Sequence, residues 1–106
     1  MFEQLQKLEN RFQELEGFLG SPEAFADKEQ YNKYAKELSG LKESVSLFRE
    51  YKKVSKEIED LAVVLKEKHD KEFIELAKKE LQDLEAKCAD LEQRIKKVLA
   101  GKDEDI

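Results

Sequence analysis

The sequence predicts an all-α protein, a three-helix antiparallel bundle drawn out into a coiled-coil hairpin, with a short helix 1 packed on one half of a long helix 2. Three observations carry this expectation. Ile74, Ala77, Leu81, Leu84, Cys88, Leu91, Ile95 and Val98 recur at alternating steps of three and four, an unbroken a/d heptad. Charged residues make up 42% of the chain, mixed with Leu and Ala, which is the composition of long helices. The only proline is Pro22, so none interrupts the helical period beyond it.

Helix 1 follows from Phe2, Leu5, Leu8, Phe12, Leu15 and Leu19, an apolar stripe of about five turns. Gly17 and Gly20 weaken its end and Ser21-Pro22 stops it. Ser21 as N-cap with Pro22 at the first helical position predicts a brief turn through Ala24 and Phe25. Asp27 with Gln30 three residues later reads as a capping box that starts helix 2.

Helix 2 carries Tyr31, Tyr34, Leu38, Leu41, Val45 and Phe48, then Tyr51, Val54, Ile58, Leu61 and Leu65. It is expected to span some 40 residues, about 60 Å, through Gly40 at a cost of about 1 kcal/mol. Its break is placed at Lys66 to Asp70. Asp70 then caps helix 3, which is expected to run to Leu99 and stop at Gly101. On this reading residues 1–100 form the helical domain, and residues 101–106 begin a linker to domains downstream.

Short connections make neighbouring helices antiparallel. Helix 1 is about half as long as helix 2, so it covers only the Tyr31–Phe48 half, while helix 3 folds back along most of helix 2, giving a three-helix bundle at one end and a bare two-helix hairpin at the other. The 3-4 alternation of helix 2 slips to steps of 3 and 3 through Phe48, Tyr51 and Val54. That slip rotates the apolar seam where two partners give way to one.

Composition also limits the classes of function. The net charge of −5 comes from 25 acidic and 20 basic residues, which argues against a dedicated nucleic-acid binder. The longest apolar run, Leu61 to Leu65, is far short of a membrane span, and no signal peptide is expected at the N-terminus. A single cysteine, Cys88, fits a reducing, cytoplasmic setting and a thiol held in the seam. No catalytic constellation, cofactor loop, metal site or small-molecule substrate is indicated, so the chain is not expected to be an enzyme. His69, the only histidine, is expected as a solvated loop residue.

Two features are candidates for partner contact. Arg49, Lys52, Lys53 and Lys56 fall at i, i+3, i+4 and i+7, a basic strip that suits a phosphate backbone, or else a solvated face neutralised by Glu50, Glu57 and Asp60. Val63 and Val64 lie off the helix 2 seam, close to Phe73 across the turn. They form either an apolar patch for a partner at the hairpin tip or a wider seam where two helices pack alone.

The order of these pieces resembles a known family. Met1-Phe2-Glu3-Gln4-Leu5-Gln6-Lys7-Leu8-Glu9-Asn10-Arg11-Phe12-Gln13-Glu14-Leu15, the stop Leu19-Gly20-Ser21-Pro22-Glu23, the stretch Tyr31 to Leu38, Phe48-Arg49-Glu50-Tyr51-Lys52-Lys53-Val54 and Ala77-Lys78-Lys79-Glu80-Leu81 are similar, in order and interval, to the N-terminal helical domain of the bacterial class I peptide chain release factors. The compact opening and short proline turn resemble the release factor 1 branch more than its paralogue. The resemblance implies a role in translation termination as a ribosome contact and positioning module at the stalk base of the large subunit, with ribosomal RNA as a further contact. The stop-codon tripeptide and the Gly-Gly-Gln motif of that family lie outside this sequence, so no catalytic residue is carried over. The alternative is a free-standing helical adaptor or chaperone-like structural protein, which a gene ending at Ile106 would favour.

Overall fold

The computed structural model describes residues 2–104, with side chains described through Gly101. It contains α1 (Phe2–Leu19), a 3-10 turn (Pro22–Ala26), α2 (Lys28–Leu65) and α3 (Lys71–Glu104), and no strand among the described residues. The all-α expectation holds. The chain divides into two compact units, Met1–Ser46 and Leu47–Ile106, and α2 runs through both.

In the first unit α1 buries Leu5, Phe12 and Leu15, spaced at helical intervals, while Leu8 and Leu19 are half-buried. Glu9 is buried as well, which the apolar stripe gave no reason to expect. The antiparallel course is set by two contacts. The Arg11 guanidinium donates to both carboxylate oxygens of Glu37, at 3.0 Å from Nη2 to Oε1. Further along, Phe18 meets Tyr34 edge to face with ring centroids 4.8 Å apart. Hydrogen bonding to the Arg11 guanidinium holds the Glu37 carboxyl below its ordinary range.

The connection uses its polar residues differently from the expectation. Ser21 precedes the 3-10 turn, but its side chain makes no cap bond there. Its hydroxyl instead donates back to the Phe18 carbonyl at 2.7 Å, covering an orphan acceptor at the end of α1. Asp27 does cap α2, accepting the Gln30 amide at 3.2 Å. The reciprocal half of the capping box is missing, because the Gln30 side chain donates forward to the Tyr34 hydroxyl.

In the second unit α2 and α3 run antiparallel in a register fixed by Tyr51 with Glu92 and Ser55 with Cys88. Phe48, Tyr51, Val54, Leu91, Ile95 and Leu99 are buried, whereas Ile58, Leu61, Leu65, Ile74, Leu81 and Leu84 are half-buried. Phe48, Tyr51 and Val54 are buried at steps of three, as the slip in the apolar spacing expects. On the part of α2 that belongs to the first unit, Val45 and Ser44 are buried, the Ser44 hydroxyl without a hydrogen-bond partner.

Two expectations for α3 are corrected. The strict heptad fails at its last step: Leu99 is buried and Val98 only half-buried. A helix of 3.6 residues per turn drifts against a 3.5 repeat, so the inward position moves on by one residue. Gly101 does not stop the helix, which continues to Glu104. No described glycine takes positive φ, and without that left-handed cap nothing ends the helix there. Of the expected linker, residues 102–104 are helical, and residues 105–106 lie outside the described residues.

Candidate functional site

The basic strip lies on the face of α2 directed away from α3. Tyr51 and Ser55 face α3, and Arg49, Lys52, Lys53 and Lys56 occupy the opposite side, all exposed. Within that segment the only acid is Glu50, and it is drawn off toward α3 by Lys87, at 3.3 Å. Lys52 rests its ammonium 4.5 Å from the Phe48 ring centre. Lys56 pairs with Asp60 at 2.9 Å, and the hydrogen bond to that carboxylate raises the Lys56 pKa. Of the three expected neutralising acids, then, Asp60 engages the strip through Lys56 and Glu50 pairs with Lys87, while Glu57 stands exposed one turn beyond Lys53.

The tip is built by its turn. The carbonyls of Val63 and Val64 at the end of α2 accept the amides of Lys66 and Glu67, each at 3.1 Å. His69 folds back over this end: its Nε2–H donates to the Val64 carbonyl at 2.8 Å, and its ring lies 4.3 Å from that of Phe73. It is therefore a half-buried cap for the α2 terminus rather than a solvated loop residue. Asp70 accepts the Phe73 amide at 2.8 Å and starts α3 as expected.

The three tip candidates separate in this frame. Val63 is 58% exposed, Phe73 is 41% exposed and partly occupied by His69, and Val64 is half-buried. Val63 follows Lys56 by seven residues, so it continues the basic strip, on the side away from α3. Leu76, at 70% exposed, is the tip's most exposed large apolar side chain and was not foreseen, because it lies outside the heptad and reads as an isolated surface leucine.

One partly buried polar node bridges the helices. The Tyr51 hydroxyl donates to Glu92 Oε1 at 2.9 Å, beside the half-buried Cys88, whose Sγ is 3.9 Å from Ser55 Oγ. Burial, then the bond to Glu92, pushes the Tyr51 pKa up to about 12. Among the described residues no group of His, Cys, Asp and Glu is arranged to hold a metal ion, and no helix is long and apolar enough to cross a membrane.

A family model for the PCRF domain matches residues 8–105. The chain belongs to the PCRF domain family. Similar proteins include peptide chain release factor 1 of Carboxydothermus hydrogenoformans, 41% identical over 103 residues, which are 97% of this chain and 29% of that protein. The corresponding proteins of Listeria monocytogenes and Bacillus cereus are 39% and 36% identical over the same shares. This PCRF domain thus spans 29% of the length of these relatives. No solved structure matched it.

Proposed function

We propose that this PCRF domain acts in translation termination in the cytoplasm, as the N-terminal helical domain of a peptide chain release factor. In this reading it is not itself an enzyme. It contacts the ribosome at the stalk base of the large subunit and positions the factor, while stop-codon reading and peptide release belong to parts of the relatives outside the matched span. The observation that carries the proposal is the likeness to proteins named peptide chain release factor 1 over 97% of this chain. A thin, highly charged helical hairpin with scattered exposed apolar residues at its tip suits a contact module better than a catalytic one. Val63, Phe73 and Leu76 are the apolar contacts we assign to the tip.

Reading the gene past the codon for Ile106 tests the assignment: a Gly-Gly-Gln downstream supports it, and an immediate stop codon overturns it in favour of a free-standing adaptor. The purified chain should release no peptide from ribosomes stalled at a stop codon. Stop-codon-dependent release by this chain alone would refute the non-enzymatic role.

A further inference from the structure

The outward face of α2 concentrates positive charge in a chain that is acidic overall, with a net charge of −5. From Arg49 to Lys56 four cations stand on one side of a helix over about 10 Å of axis. Glu50, the acid inside that segment, pairs with Lys87 of α3 at 3.3 Å, and Glu57 and Asp60 follow in the next turn of α2. The acid at the strip's end, Asp60, is held in an exposed (i, i+4) pair with Lys56, an interaction that a competing anion displaces readily.

We propose that this strip docks on the phosphodiester backbone of folded RNA. This rests on the ribosomal reading for the choice of RNA, and on the strip itself for the choice of phosphate. A nucleic-acid duplex as long as the strip presents about six phosphate charges, one per ~1.7 Å of axis, a linear charge density of the same order as that of the four cations. Three of the four cations are lysines. A lysine is a point charge that engages phosphate without fixed orientation, whereas the planar fork that favours carboxylates is present only at Arg49. An acidic protein surface would therefore gain little geometric selectivity here. No aromatic side chain stands among the four, so the strip has no platform for stacking unpaired bases and reads backbone alone. Val63 continues the same face one heptad on, placing an uncharged end where the cationic surface stops.

The test compares three forms of the chain: unaltered, with Arg49→Gln, Lys52→Gln, Lys53→Gln and Lys56→Gln together, and with Lys71→Gln, Lys78→Gln, Lys79→Gln and Lys96→Gln on α3. All eight positions are exposed, and matching circular dichroism confirms that each form is folded. Binding is measured to a short RNA duplex across a salt series and to purified large ribosomal subunits. The strip variant is expected to bind the duplex about tenfold or more weakly at low salt. Its slope of log K against log salt should fall by about 3.6, since each of the four phosphates left without its cation takes away ~0.9. The α3 variant should weaken much less. Equal weakening in both variants would mean bulk charge alone, and unchanged binding by the strip variant would mean that the strip does not touch the RNA; either overturns the proposal. Subunit binding that depends on the strip without duplex binding would point to an acidic protein instead and also overturns it, as does binding to neither probe. Strip-dependent duplex binding without subunit binding upholds the proposal and rejects the ribosomal reading.

Discussion

At the base of the α2–α3 hairpin, Phe48, Tyr51 and Val54 lie in register with Leu91 and Ile95 and are nearly sealed from water. At the tip, Ile58, Leu61 and Leu65 follow in the same register with Leu84, Leu81 and Ala77, and of these only Ala77 is buried. The two ends have the same helical period and similar residue types. What differs is how much of each side chain is covered, since two helices packed alone bury one narrow seam and leave its flanks wet. Apolar spacing thus reports which face points inward, and says little about how deeply it is buried. Local stability should follow coverage, so the tip should open at lower cost than the base.

Truncation is the most direct way to break this comparison. Ile95, 1% exposed, should lose about 3 kcal/mol as Ile95→Ala, because the missing packing and a residual cavity add together. The half-buried Leu84 should lose about 1 kcal/mol as Leu84→Ala, since less surface leaves an already open site. Urea denaturation of both variants checks the ratio. Equal losses would mean that the tip is as tightly held as the base.

The polar node at the base gives a smaller, pH-dependent effect. Tyr51→Phe removes one partly buried hydrogen bond and should cost about 1 kcal/mol at neutral pH. Folding raises the Tyr51 pKa from 10.0 to about 12, so the folded state favours the protonated phenol. That contribution is fully present below pH 10 and is lost as the pH rises toward 12. The unaltered chain should therefore lose its advantage over Tyr51→Phe across this window, as followed by denaturation midpoints. A gap independent of pH would place the phenol in water. At the tip, Asp70→Ala removes the α3 cap and should cost about 1 kcal/mol, with faster amide exchange confined to the start of α3.

The parts of the molecule legible in the sequence were those set by local rules. Asp27 and Asp70 cap where their neighbours predict, Pro22 opens the 3-10 turn, and the steps of three from Phe48 to Val54 mark the seam's rotation. The misses depended on competition between partners that only the fold brings together. The Gln30 side chain prefers the Tyr34 hydroxyl to its own capping box, and His69 finds the Val64 carbonyl and the Phe73 ring instead of water. Gly101 has the residue type of a helix stop without the backbone conformation that makes one. For the candidate surfaces, the i, i+3, i+4, i+7 spacing was enough to align the basic strip. The diversion of Glu50 away from it was not readable, because that needs Lys87 from the other helix.

The smallest expected effect separates local from global opening. Gly40 lies inside α2, exposed, and a Cβ added there meets nothing within 4 Å. Gly40→Ala should stabilise the fold by about 0.7 kcal/mol, from helix propensity and a less free unfolded chain, without adding a tertiary contact. Amides that exchange only when the whole domain unfolds should then slow by about threefold, and those around Val54 and Ile95 at the hairpin base belong to this class. Amides from Ile58 to Ala77 should exchange faster than these to begin with. If they exchange by separation of the tip alone, the substitution leaves their rates unchanged, because that opening does not unwind the helix at residue 40. Native-state hydrogen exchange on the two proteins reads both classes at once. Slowing of the tip amides by the same factor as the base would mean that the hairpin opens as one unit, and that half-buried and fully buried seams cost the same to part.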